Sequence, residues 1–435
     1  MMDVRYSLLR TTPLALLSAL GCGGDDGTDE GGSTAPTDGA TSSATDQGSG
    51  PGPSGPTETG PGASGDTGPG GATADDTAGT SDDAGTGEPV PPTGFEGWGA
   101  MTQGADSCPQ TPDEIHVTTL ADAGPGSLRE ALSDGCRRIV FDVGGTITLQ
   151  SDLNLPYSYV TIDGATAPDP GITIVQPGVI GTTIEASGSI GPIRDVILTH
   201  LRMDGQAVDH ANEGDIWGID GEAAPVSNVI LDHITAIGAT DGVFDMWEDV
   251  SNVTVSWCLV ADTVAALHLS TGDIAVARDR VSFHHNVFAG NNERQIRIRH
   301  ASTDIDYRNN VVYGWGWFEG GAAGLHIAYD AGETNPSLNV VANAFVFVPG
   351  TAGAENDAIV FERGPDEGNV FFADNLVPAG EGDDVSTGPE LAVPKWASVT
   401  QYPVADLGTA VVPAVGTHYP TAAEVARLEG IAAAI

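Results

Sequence analysis

The stretch NVILDHI at 228–234 recurs along the chain as DVILTHL at 195–201, NVTVSWC at 252–258, RVSFHHN at 280–286 and DIDYRNN at 304–310. Apolar residues occupy the second and fourth places of each copy, the period-two pattern of a strand. The last place holds Leu201, Ile234, Cys258, Asn286 and Asn310, then Asn343 and Asn375 in two weaker copies, at spacings of 33, 24, 28, 24, 33 and 32 residues. No helical pattern fills these intervals, so a chain of strand–helix–strand units is excluded. A coil of strands joined by turns remains. Asparagines at one place in successive copies suit such a coil, since each side-chain amide can bond the next along the stack. The fold class predicted is all-β, a right-handed, single-stranded parallel β-helix. Cys258 falls within a strand pattern and is expected to be buried packing.

A second column of strands accompanies the first. Setting Ile216, Phe244, Leu267, Ile296 and Leu325 inward places Trp217, Asp245, His268, Arg297 and His326 in one outward row. Asp215, Asp241 and Asp245 then lie on neighbouring coils, and the run NNERQIRIRH at 291–300 sits two coils beyond that of Asp245. Coils stack at about 4.8 Å, so the carboxylates and arginines face one groove roughly 10 Å across, the span of a sugar residue or two.

Those arginines stand out against the composition. The 435 residues carry a formal net charge of −44, with 16 Lys+Arg against 60 Asp+Glu, and from Gly94 onward the balance is still 14 against 46. Such a surface disfavours nucleic acid and anionic lipid as partners. A polyanionic ligand would have to be held by a cation or by a local arginine cluster, and Arg294, Arg297 and Arg299 form one.

Ahead of the coils, Ser127 and Glu130 have capping-box spacing and predict a short helix, Leu128 to Ser133, covering the open end of the solenoid. Cys108 and Cys136 flank this segment and can pair in an oxidising compartment. The first residues, 1–21, have Arg5 and Arg10 before a short apolar run, Pro13 to Leu20, as in an export signal. Ala19-Leu20-Gly21-Cys22 resembles a lipobox, which would make Cys22 a lipidated N-terminus; ordinary cleavage nearby is the alternative. Residues 22–93 are Gly, Ser, Thr, Pro, Asp and Glu with almost nothing apolar and no Lys or Arg, the composition of a solvated linker. A single β-helical domain is expected over 94–435.

The run VTTLADAGPGSLREAL, the following RRIVFDVGGTITL, the NVILDH and VSFHHN strands and the Arg-x-x-x-x-Arg of residues 294–299, in this order, resemble the secreted pectate lyases of polysaccharide lyase family one, over roughly residues 94–315. The resemblance implies cleavage of polygalacturonate by calcium-dependent β-elimination, in a monomer secreted by a bacterium or tethered to its outer surface. It assigns calcium to Glu213 and Asp215 on one coil and Asp241 and Asp245 on the next, proton abstraction to Arg294 and substrate holding to Arg299. Oxygen donors on fixed strands suit a hard cation; four solvated carboxylates on an acidic surface are the competing reading. Because a guanidinium ordinarily keeps its proton, an arginine base implies an alkaline optimum. Strand parity turns Arg297 and Arg299 outward but Arg294 inward, so Arg294 must occupy a bend. Ile296 stands where the family usually has proline, and the family's lysine near Val264 and Ala265 is absent; His268, Arg297 or Arg308 could supply that charge. A lyase acting on methylated pectin, and a non-catalytic glycan-binding β-helix, are the alternatives. His233 and His285, at one place of the strand repeat, are expected to be structural.

Overall fold

In the computed structural model, residues 89–435 are described, except 178–180, 186–189, 207–214, 240–241, 271–277, 300, 317–323, 328–334, 349–357, 362–368 and 379–385. The export signal, Cys22 and all but the last five residues of the linker lie outside the described residues.

Among the described residues, successive coils contribute strands to three sheets, of ten, eight and eight strands, and every pairing is parallel. One coil shows the plan: Val226–Asp232 joins the first sheet, Thr235–Ile237 the second and Met246–Trp247 the third. The chain is a parallel β-helix. The repeat's second and fourth places line the core of the first sheet: Val229 and Leu231, Val253 and Val255, Val281 and Phe283, Ile305 and Tyr307 are all fully buried.

The repeat's other places explain themselves through backbone conformation. Its first place holds Asp195, Asn228, Asn252, Arg280 and Asp304, and its sixth His200, His233, Trp257, His285 and Asn309, every one with φ between 52 and 59°. Left-handed residues are costly for most side chains and least so for Asn, Asp and His, which dominate both places. The left-handed sixth residue turns the chain between sheets and points the seventh inward. There the amides form the expected stack: Cys258 N donates to Asn286 Oδ1 (2.9 Å), Asn286 N to Asn310 Oδ1 (3.1 Å), Asn310 N to Asn343 Oδ1 (2.8 Å) and Asn343 N to Asn375 Oδ1 (2.9 Å). Cys258 is fully buried, and burial pushes its thiol pKa up.

The sixth-place side chains stack outside, with ring centroids 4.8 Å apart for His200 and His233, 6.0 Å for His233 and Trp257, and 4.3 Å for Trp257 and His285. His233 and His285 are therefore structural. Burial, then neighbouring His284, pushes His285 down to about 3. Because the folded pKa lies below the unfolded value near 6.5, the neutral ring favours folding fully above that pH, and this is lost as pH falls toward 3. We expect the thermal unfolding midpoint to drop steadily from pH 7 to pH 4, by an amount matching several kcal/mol, and His285→Asn to flatten the slope. A midpoint unchanged over that range would contradict the assignment.

Two terminal segments cover two of the three outer faces. Along the first sheet, Trp98 N donates to Ser282 Oγ (2.9 Å), Gly99 N to Thr254 Oγ1 (2.9 Å) and Ala105 N to Thr161 Oγ1 (3.0 Å). Cys108 is bonded to Cys136, 28 residues on, with Cα atoms 5.4 Å apart; closing a loop of that length contributes about 3.5 kcal/mol. Along the second sheet, Leu407, Val411, Val412, Val415, Leu428 and Ile431 pack on Leu259, Ala261, Val287, Ala289, Val311 and Ala344.

The helix Ala422–Ala432 in this C-terminal segment departs from the expectation of β-helix throughout. Its signal was local: Thr421 and Glu424 form a capping box, and Glu424 also accepts from Arg202 Nε (3.1 Å) across 222 residues. The N-terminal helix is shorter than expected, Leu128–Ala131, and Glu130 bonds Gly126 N (2.6 Å) rather than the N-cap amide. Leu128, Ala131 and Leu132 are buried on the first coils, as a cap requires.

Candidate active site

Neither terminal segment is packed on the third sheet among the described contacts, and that sheet carries the charged row. Its register pairs Ile184 with Ile219, Ile219 with Met246, Met246 with Leu269, Leu269 with Ile298 and Ile298 with Ile327. These inward residues are all fully buried, so Asp245, His268, Arg297 and His326 lie one residue before them, facing out along consecutive coils.

The row begins differently from its sequence-based reading. Ile216 pairs with Val243, one residue earlier than the alignment required, which puts Gly218 rather than Trp217 beside Asp245. Trp217 is fully buried, its N donating to Thr182 Oγ1 (2.8 Å) and its Nε1 to Met203 Sδ (3.2 Å). A slip of one residue exchanges the faces of a strand, and the indole fills the core while a glycine lines the groove.

Asp215 and Asp245 meet at Gly242. Gly242 N donates to Asp215 Oδ1 (3.0 Å), and a Cβ at Gly242 would lie 2.1 Å from Asp245 Cγ, so the Asp245 carboxylate occupies the space a side chain would take. Asp245 Oδ1 in turn accepts from His268 N (2.8 Å) on the next coil. Two carboxylates on neighbouring coils are thus oriented by backbone amides rather than solvated at random. Such a pair of like charges, all oxygen, fits a hard divalent cation. Glu213 and Asp241, the other two expected ligands, lie outside the described residues.

Arg294 occupies the bend that parity demanded. Its φ is 58°, it precedes the short strand Arg297–Ile298, and its carbonyl accepts from Leu267 N (2.7 Å). Gln295 and Ile296 after it are buried, whereas Arg294, Arg297 and Arg299 remain partly exposed. Arg294 also lies beside Glu293, with Nε 3.9 Å from Oε1. Sequence reading placed His326 in the row but gave it no role. Burial, then Arg297 and Arg294, push it down to about 4; both arginines therefore act on one side chain in the next coil. His326 is neutral at ordinary pH, leaving the positive charge there to the arginines.

Arg308 belongs elsewhere. It lies on the first sheet, its Nη2 2.9 Å from Asp306 Oδ1, and its Nη1 donates to Gln401 (2.8 Å). It is removed from the candidates for the missing lysine's charge, and His268 and Arg297, in the row itself, remain.

Fold and site together define a parallel β-helix with acidic and arginine side chains facing out from its third sheet. No protein-family model matches the chain. A "Probable pectate lyase C" of Aspergillus flavus is 30% identical over 302 residues, 69% of this chain and 63% of its own length. Its counterpart in Aspergillus terreus is 31% identical over 301 residues, with the same shares, and pectate lyase E of Dickeya chrysanthemi is 25% identical over 50% of this chain and 62% of its own. The chain thus spans under two thirds of the length of these relatives. Among solved structures, Jun a 1, the major allergen from cedar pollen, superposes with a TM-score of 0.57 at 17% identity, over 74% of this chain and 92% of its own. A pectate lyase from Bacillus sp. N165 in complex with trigalacturonate gives 0.51 at 16% identity, over 74% and 99%. These superpositions establish the shared fold.

Proposed function

We propose that the chain is an exported lyase that cleaves polygalacturonate by calcium-dependent β-elimination, tethered through Cys22 and the acidic linker to the outer surface of a bacterium. The observation carrying this reading is the convergence on one β-helix face of amide-oriented Asp215 and Asp245 with Arg294, Arg297 and Arg299. Identity of about 30% to proteins named pectate lyase supports it.

Asp215 and Asp245, with Glu213 and Asp241, would hold the calcium, which draws electrons from a uronate carboxylate and so makes the neighbouring C5 hydrogen more acidic. Arg294 takes that proton; the electron pair left on C5 forms the C4–C5 double bond as the glycosidic oxygen leaves C4 with the bonding pair and takes a proton from solvent. Arg299 and Arg297 hold carboxylates of the polymer, fixing the reacting ring against Arg294. His268, whose backbone is tied to Asp245, lies between metal ligands and arginines and faces the same ring.

An assay of polygalacturonate by the rising absorbance of the unsaturated product tests this directly. Turnover should require calcium, stop on chelation and resume when calcium is restored. Turnover undiminished in chelator would favour a metal-independent lyase for methylated pectin, a reading supported by the missing lysine. No product from either polymer would favour a glycan-binding β-helix.

A further inference from the structure

Two residues beyond Asp245 on the same strand stands Trp247. It is 38% exposed, whereas Trp217 on the preceding coil and Phe244 on its own are fully buried. Strand alternation puts it on the same outward side as Asp245, on either side of inward Met246. It belongs to a second row parallel to the first. Register pairs Glu185 with Asp220, Asp220 with Trp247 and Trp247 with Ser270, and Arg299, whose N donates to Leu269 O (3.1 Å), continues the row one coil further. Along the stacking direction the side chains therefore change from two carboxylates, through an indole, to a guanidinium. At about 4.8 Å per coil, Trp247 lies one coil from Asp220 and two, roughly 10 Å, from Arg299.

This order sorts the rings of a bound polymer by charge. A ring over Arg299 is held by its free carboxylate. A neighbouring ring over Trp247 meets a flat apolar surface that binds sugar through its C–H face and makes no use of a carboxylate. Beyond it, Asp220 and Glu185 repel a negative group at that distance. Asp220 is fixed there by accepting from Glu222 N (2.8 Å), and Glu185 by accepting from Asn154 Nδ2 (3.0 Å). A methyl ester removes the charge and adds an apolar group to lay against the indole. We infer that Trp247 is a sugar-stacking platform that selects a methyl-esterified ring beside the free uronate held at Arg299, so that the natural substrate is partly methyl-esterified galacturonan. The inference rests on the uronate-lyase reading above and deepens it.

Binding, measured by titration calorimetry in the Arg294→Lys chain so that substrate is not consumed, separates the two. The probes are oligogalacturonates of one length, either fully de-esterified or about half methyl-esterified. The unsubstituted platform should bind the esterified probe more tightly. Trp247→Ala should weaken that binding about tenfold and binding of the de-esterified probe no more than about threefold, and Trp247→Phe should restore most of the loss. Asp220→Asn, which keeps the local acceptor, should narrow the difference between probes by improving the de-esterified one. Equal losses on both probes, or none, would overturn the inference and leave the lyase reading standing. No binding of either probe by a chain with Trp247 intact would overturn the lyase reading, and this inference with it.

Discussion

Arg294→Lys is expected to lower kcat on polygalacturonate about a thousandfold at saturating calcium, with KM little changed. Positioned proton transfer contributes roughly 10²–10⁴ to rate, and it depends on reach. Arg294 projects from a left-handed bend and comes close enough to His326 to depress it. An ammonium on a shorter, differently directed stem retains the charge but misplaces the proton acceptor. Arg299→Lys is expected to behave oppositely, raising KM with a modest effect on kcat, since a point charge still attracts a carboxylate after the bidentate fork is lost. Arg297→Ala should resemble Arg299→Lys if Arg297 takes the place of the absent lysine. A near-normal kcat in Arg294→Lys would show that the base lies elsewhere.

Asp245→Ala is expected to lower activity by roughly 100-fold or more at ordinary calcium and to remove calcium binding in calorimetry, with the fold intact. Gly242→Ala should reproduce that loss with every expected ligand retained. The new Cβ would fall 2.1 Å from Asp245 Cγ and 2.2 Å from both carboxylate oxygens, so the carboxylate must leave its position beside Asp215. Circular dichroism with wild-type shape and a lowered calcium affinity would localise the effect to the site. Unchanged calcium dependence in Asp245→Ala would sink the assignment, whereas a Gly242→Ala enzyme of full activity would show that the carboxylate works equally well displaced.

The β-helix was legible in the sequence because its contacts repeat what is local. Residues at one place of the repeat are brought within a coil spacing of each other, so a column of Asn286, Asn310, Asn343 and Asn375 in sequence becomes a ladder of amides in space. Alternation within NVILDHI likewise assigns faces without reference to the rest of the chain, and the row of Asp245, His268 and Arg297 follows from the same alternation in the third sheet. The bend at Arg294 was also implied, as the only way to reconcile its place with strand parity.

What tertiary structure alone decided lies where coils differ in length or distant segments meet. Between Ile216 and Val243 the spacing is 27 residues rather than 28, and that one residue puts Trp217 in the core and Gly218 in the groove. Asp245 folds back over Gly242 because a glycine three residues earlier leaves the space, a contact no periodicity announces. Arg308 is claimed by Asp306 and by Gln401, the latter 93 residues away, and the helix Ala422–Ala432 seals the second sheet through Arg202. The sequence determined which side chains repeat on each strand, since alternation and stacking are local; the tertiary structure determined which of them share a groove, since that depends on turn lengths and on long-range packing that leaves the third sheet to the charged row.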